Sequence, residues 1–360
     1  MRKYNFYAGP STLPVEVLEE LKEEIADYYG QGLSMIETSH RSPMYDSVHS
    51  ETIELFHELM SIPKNYKVLF IGGGATLQFG MVPMNLLKSG TTAEYIKSGS
   101  WAGKAVNDAR TIGPVRILWD GKESSYTTLP DAASIRPGND AAYLHVTSNE
   151  TIGGIQWKEF PKTGEVPLVA DMSSDILSRV FAIRDFGLIY AGAQKNIGPA
   201  GVTVVIIRED LAVASPENLP AYLRYKIHAE KNSLYNTPPV FAVYAMHKVL
   251  KWLKARGGVQ GIEKLNARKA GAIYSVIDKN PEFYSSPVDK KVRSNMNVVF
   301  RLPSEDLEKQ FLSHAQENGM LGLKGHRDVG GCRASLYNAM PLEGAQALAN
   351  FMQTFAAEKG

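Results

Sequence analysis

The chain has 360 residues, 44% hydrophobic and 21% charged, an ordinary globular balance and enough for two domains of ~100–200 residues each. A net charge of +1 gives no general electrostatic case for nucleic acid or an anionic membrane surface. The only cysteine, Cys332, excludes an intramolecular disulfide and cysteine-based zinc clusters. With no secretion-type stretch at the start and no apolar run near the ~20 residues of a membrane span, a soluble cytoplasmic protein is the expectation.

From the N-terminus, Val15, Leu18, Leu21, Ile25 and Tyr28 form an apolar stripe that predicts a helix over Pro14–Tyr29, with Pro14 suited to the first turn. "KVLFIGGG" (Lys67–Gly74) reads as a short buried strand running into glycines, and a helix is expected over Thr76–Leu87. Further strands are predicted at Ala93–Ile96, Val115–Trp119, Ala142–Val146, Pro167–Ala170, Leu188–Tyr190 and Val202–Ile207. Most are continuous apolar runs rather than alternating ones. Such strands are covered on both faces, so the fold class is α/β with a mostly parallel sheet. A helix over Val240–Arg256 stops at Gly257-Gly258. Beyond it, "NMNVVFRL", "SEDLEKQFLSHAQENG", "CRASLY" and a final helix suggest a smaller α+β domain. The division expected is a large domain over 16–260 and a small one made of 1–15 and 261–360.

Polar residues recur where predicted strands end, the place at which open α/β sheets bind ligands. "GGGATLQ" lacks the dinucleotide and P-loop spacings, and its glycines fit either a tight turn or an anion cradle built on the amides of Ala75 and Thr76. Asp171 follows the run Leu168–Ala170, and such a carboxylate suits a turn or the protonated nitrogen of a pyridine ring. "HVTSNET" (His145–Thr151) brings hydroxyls to a third strand end, and "SGSWAGKA" puts Trp101 near a helix start, where it can serve as core or as a ring-stacking platform. In "AGAQKNIGPAG", Lys195 sits between two apolar runs; alone it reads as a surface lysine, but a nucleophilic amine there could form a Schiff base with a carbonyl. Each feature has a bland explanation. Together, amine, pyridinium partner, stacking aromatic and anion cradle describe a pyridoxal 5′-phosphate site.

The motifs "YNFYAGPSTLP", "ETSHRSP", "GGGATLQF", "SNETIGGIQW", "DMSSD", "AGAQKNIGPAG", "NTPP" and "GHRDVGGCRASLYNA" resemble the phosphoserine aminotransferase family, class V members of the fold-type I pyridoxal phosphate enzymes, nearly end to end. The resemblance implies a pyridoxal phosphate cofactor on Lys195, Asp171 at its ring nitrogen, Trp101 on its ring and Thr151 at its ring hydroxyl. Ala75, Thr76 and Gln194 would hold its phosphate, with Asn236 and Thr237 reaching it from the neighbouring subunit of a homodimer. Those two residues precede Pro238 and the next predicted helix, a suitable anion cap. No metal is implied. The family reaction exchanges an amino group between glutamate and 3-phosphohydroxypyruvate, with 4-phosphohydroxythreonine as a second candidate. Each substrate has an anion at both ends, so Arg333 is assigned to the α-carboxylate and His40, Arg41, His326 and Arg327 to the distal anion. Some family members carry an arginine in the "GGGAT" loop; this chain has none. The competing expectations are another class V enzyme, such as a cysteine desulfurase using Cys332, and a non-enzymatic binding protein for phosphorylated metabolites.

Overall fold

The computed structural model describes residues 2–360. The chain opens with β1 (Tyr4–Asn5), α1 (Val15–Glu24) and α2 (Pro43–Met60), then enters the main sheet at β2 (Tyr66–Ile71). Helix α3 (Gly74–Leu86), β3 (Thr92–Lys97), α4 (Ser100–Arg110), β4 (Val115–Asp120) and β5 (Ala141–Thr147) follow. A small ribbon, β6 (Asn149–Glu150) and β7 (Ile155–Gln156), interrupts the alternation before β8 (Leu168–Asp171), β9 (Leu188–Gly192) and β10 (Thr203–Arg208). Helices α5 (Glu209–Val213), α6 (Tyr225–Glu230), α7 (Val240–Ala255) and α8 (Gly258–Lys279) lead to β11 (Asn297–Phe300), α9 (Glu305–Glu317), β12 (Met320–Leu321), β13 (Cys332–Ser335) and α10 (Leu342–Lys359).

The central sheet has seven strands in the order β2-β10-β9-β8-β5-β3-β4. Only β10 runs antiparallel to its neighbours, β2 and β9. Side chains alternate between two covered faces: Val146, Ala170, Ile189 and Val204 pack in the core under α2 and α7, while Val169, Leu188, Tyr190 and Val205 pack in the core that includes Phe79, Val82 and Val106 of α3 and α4. Burial on both sides explains why these strands carry continuous apolar runs. Strand β4 is the exception: it lies at the sheet edge and is only half-buried. A separate core joins α8, α9 and α10 to the antiparallel pair β11–β13. Helix α8 serves both bodies, since Val259 in its first turn packs in the large core and Ala270, Ile273, Val276 and Ile277 pack in the small one.

The first predicted helix is shorter than its stripe. Helix α1 ends at Glu24, buries Val17 and Leu21, and leaves Val15, Leu18 and Ile25 exposed. Beyond it Asp27 is extended and Tyr29 takes a left-handed conformation. The side chains decide this: Asp27 Oδ1 accepts from Gly32 N at 2.8 Å, Tyr28 packs edge-on against Tyr244, and the Tyr29 hydroxyl accepts from Lys248 Nζ at 2.8 Å.

A buried polar joint ties the two cores together. Lys269 of α8 is fully buried, and its Nζ donates to the carbonyls of Leu336, Tyr337, Asn338 and Met340 at 2.8–3.4 Å. Burial pulls its pKa down to about 7. The turn it gathers reaches the large body, where Asn338 N donates to Asn196 Oδ1 at 2.8 Å, one residue beyond Lys195. Lys269→Met should destabilise the protein by about 3–5 kcal/mol, because it strips a buried hydrogen-bonding group and leaves its carbonyl partners unpaired. Urea unfolding measures the loss; an unchanged midpoint would mean that packing alone holds the joint.

Candidate active site

Strands β5, β8 and β9 run parallel and bring their carboxyl ends to one side of the sheet. Asp171 is the last residue of β8, opposite Thr147 of β5 and Tyr190 of β9. Its side chain is nearly buried, and both hydrogen bonds to its carboxylate, from Ser173 N at 2.9 Å and Ser173 Oγ at 2.6 Å, fall on Oδ1. Burial raises the Asp171 pKa, while Lys195 and the Ser173 hydrogen bonds oppose the rise.

Lys195 follows β9 by three residues. Its Nζ donates to Thr151 Oγ1 at 2.7 Å and lies 4.9 Å from the centre of the Trp101 ring. Desolvation lowers its pKa and the Arg333 cation lowers it further, against the attraction of Asp171 and Glu150. Arg333 comes from β13 of the small body, and its Nη1 donates to the Thr151 carbonyl at 3.1 Å. Thr151 therefore joins the lysine of one core to the arginine of the other. Trp101 lies in the first turn of α4.

Two contributors were not singled out in the sequence. The N-terminal segment packs on the lysine: Ser11 N donates to the Gln194 carbonyl at 3.0 Å, Ser11 Oγ donates to the Lys195 carbonyl, and a side chain at Gly9 would meet Lys195 Cγ at 3.4 Å. The "YAGPS" motif was the available signal. The other is Glu150, whose carboxylate accepts from Trp101 N at 3.2 Å and Ala102 N at 2.9 Å. Burial pushes its pKa up to about 7.

The residues fit pyridoxal phosphate. Asp171 Oδ2 has no protein partner and can meet a ring N–H. Helix α3 opens with no side-chain cap, at Gly73 (φ 91°) and its first residue Gly74 (φ 70°), so the amides of Ala75 and Thr76 in its first turn are open to a phosphate. The Gln194 side chain folds back over Gly192, where a Cβ would lie 2.8 Å from its Oε1.

The remaining sequence-predicted residues make no side-chain hydrogen bond to Lys195, Asp171 or Thr151. Arg41 is exposed and His40 half-buried, with its Nε2 buried and unpartnered. Arg327 is 90% exposed, and His326 Nδ1 lies 3.3 Å from Asp328 Oδ2. Asn236 and Thr237 are exposed; the helix expected directly after them starts further on, α7 beginning at Val240 after Pro239, and Asn236 Nδ2 donates to the Thr237 carbonyl at 3.0 Å. Two consecutive prolines, Pro238 and Pro239, push the helix start beyond their reach. Cys332 is fully buried in β13, and burial raises its thiol pKa, the opposite of what a cysteine nucleophile needs.

A mostly parallel sheet that gathers a lysine, a buried carboxylate and an indole beyond the carboxyl ends of its strands is the framework of a fold-type I pyridoxal phosphate transferase. The family model "Aminotransferase class-V" matches residues 3–348. Phosphoserine aminotransferase of Niallia circulans is 53% identical over 359 residues, covering 100% of this chain and 99% of its own length. The solved phosphoserine aminotransferase from Bacillus circulans subsp. alkalophilus superposes with a TM-score of 0.98 at 53% identity, over 100% of this chain and 99% of that one. The pyridoxal-phosphate-bound phosphoserine aminotransferase of Trichomonas vaginalis superposes at 0.89 with 36% identity, over 98% and 100%. The chain belongs to the class-V aminotransferases, within their phosphoserine aminotransferase family.

Proposed function

We propose that this enzyme moves the amino group of L-glutamate to 3-phosphohydroxypyruvate, giving O-phospho-L-serine and 2-oxoglutarate, the transamination of serine biosynthesis. The observation that carries the reading is the Lys195–Thr151–Arg333 chain of contacts in a protein 53% identical, end to end, to one named for that activity. 4-Phosphohydroxythreonine has the same two charged ends and is a second candidate substrate.

Bound pyridoxal phosphate supplies an aldehyde that takes up the amino group and a ring that draws electrons from the α-carbon. The chain's own residues do the rest. Lys195 would hold the cofactor in the resting enzyme; once the amino donor displaces it, its Nζ is a free amine that takes the proton from the substrate's α-carbon and would deliver it to the cofactor carbon that bears the amino nitrogen. A depressed pKa favours the neutral amine that this step requires. Thr151 Oγ1 orients Nζ, and Asp171 keeps the ring nitrogen protonated. Arg333 holds the α-carboxylate of donor and acceptor alike, so one site serves both halves of a ping-pong exchange. The other ends, a carboxylate and a phosphate, fall to His40, Arg41, His326 and Arg327. The exposed Arg41 and the unpartnered Nε2 of His40 support a site completed by a second copy. So do the exposed apolar side chains of Val15, Leu18, Ile25, Tyr29, Leu33 and Ile36 near the start of the sequence.

The test begins with colour. The purified protein should be yellow, and borohydride should bleach it and fix the cofactor to Lys195; a colourless protein that takes up no pyridoxal phosphate would favour a binding protein. Arg41→Ala should then weaken glutamate and phosphoserine about ten- to hundredfold in kcat/KM, the worth of one charge-assisted hydrogen bond of roughly 1.5–3 kcal/mol. Alanine, lacking a distal anion, should change much less. Equal losses for all three would put Arg41 at the α-carboxylate or outside the site.

A further inference from the structure

We propose that Glu150 is a positioning residue that sets the plane of the Trp101 indole by capping α4 from the neighbouring strand. The inference rests on the cofactor reading above. Helix α4 has no cap of its own: Gly99 stands at its N-cap position without a side chain. Its first amides are instead met by Glu150 of β6, which accepts from Trp101 N at 3.2 Å through Oε2 and from Ala102 N at 2.9 Å through Oε1. A carboxylate suits that place because the amino end of a helix carries partial positive charge. The carboxylate is 1% exposed, so no water competes for the two amides.

The neighbouring residues are fitted to this contact. A Cβ at Gly99 would lie 2.5 Å from Glu150 Cδ and 2.7 Å from Oε2, so any larger residue there displaces the carboxylate. The Glu150 carbonyl accepts from Gly154 N at 2.8 Å, which closes the turn carrying Thr151. One residue thus locks the strand end that bears the Lys195 partner and the helix that bears the indole. The indole needs such a lock because its Nε1 is buried without a partner. No side-chain hydrogen bond fixes the ring, so its placement rests on packing, with Lys104 Nζ 4.3 Å from its centre, and on its backbone attachment to the first turn of α4.

The cofactor-free readout is fluorine NMR of protein made with 5-fluorotryptophan, the Trp101 resonance being assigned by its loss in Trp101→Phe. In the apoprotein, Glu150→Ala should shift or broaden that resonance and leave those of Trp119, Trp157 and Trp252 in place. In titrations with pyridoxal phosphate, Glu150→Ala should weaken binding about tenfold, the equivalent of ~1.4 kcal/mol, and reduce the visible circular dichroism of the bound cofactor. Glu150→Gln, which keeps one acceptor, should fall between. In a Trp101→Ala background, Glu150→Ala should add less than about a twofold loss. Gly99→Ala provides a second route, since it moves the carboxylate without deleting it and should reproduce both the shifted resonance and the weaker binding. An unmoved Trp101 resonance in Glu150→Ala and Gly99→Ala overturns the proposal whether or not cofactor binds. An equal loss of affinity with and without Trp101 overturns it too, by giving Glu150 a route that bypasses the indole. Failure of the wild-type protein to bind pyridoxal phosphate would strike the cofactor reading alone, because the resonance test stands without it.

Discussion

Lys195→Ala should lower the transamination rate by at least about 10³-fold while leaving pyridoxal phosphate binding in place. The two effects separate because, on the proposed roles, Lys195 would contribute a covalent tether and a mobile base, whereas the ring and phosphate would be held by other groups. Asp171 Oδ2, the opening amides of α3 and the Trp101 face are all independent of the lysine side chain. Added glutamate or phosphoserine should therefore change the visible spectrum of the variant in a single slow step and then stop, since no amine is left to move the α-proton. Nothing nearby replaces it. Thr151 is a poor base, Arg333 stays protonated, and Glu150 is engaged with two backbone amides. An exogenous small amine should restore part of the rate in proportion to its concentration. Near-normal turnover by Lys195→Ala would remove the lysine from the mechanism altogether.

The charge around Nζ also orders the neighbouring variants. Asp171 is the foremost charge raising the Lys195 pKa against its burial. Removing that carboxylate would leave desolvation and Arg333 unopposed and carry the lysine pKa lower still. Asp171→Asn should therefore supply the neutral amine more readily and nonetheless turn over slowly, because the ring nitrogen would lose the partner that keeps it protonated. Proton availability at Nζ and electron withdrawal by the ring are separate demands, met by different atoms of the site.

Legibility in the sequence followed burial. Asp171 and Lys195 could be found because they interrupt runs buried on both faces, Leu168–Ala170 and Leu188–Ala193, where a charged or polar residue needs a reason. The antiparallel course of β10 could not be read, since its side chains alternate between two cores as those of its parallel neighbours do. Helix α1 was overextended because periodicity marks apolar residues without saying what they face, and Val15, Leu18 and Ile25 face solvent in the single chain. Glu150 was hidden for a different reason. It caps a helix 48 residues earlier in the chain, and no local pattern reports a cap supplied from another element. The glycine at position 99 was half of that signal, and only the fold reveals what it makes room for.

The shared-site reading leads to the most discriminating experiment. Asn236 and Thr237 are exposed, cap no helix and make no hydrogen bond to Lys195, Asp171 or Thr151 of their own chain. Their work, if they hold the cofactor phosphate, must be done in a second copy. Chains carrying Lys195→Ala should then be mixed with chains carrying Asn236→Ala and Thr237→Ala, each homodimer being nearly inactive. In a mixed dimer with shared sites, one site combines both defects and the other has neither. Random pairing of equal amounts makes about half of the dimers mixed, and half of the sites in each are intact, so roughly a quarter of wild-type activity should return. Sites built from one chain would all carry a defect, and no activity would return on mixing. Subunit exchange, verified by mass-labelled chains, makes that second outcome decisive: Asn236 and Thr237 would then act only within their own chain, and the exposed apolar residues near the N-terminus would need another occupant.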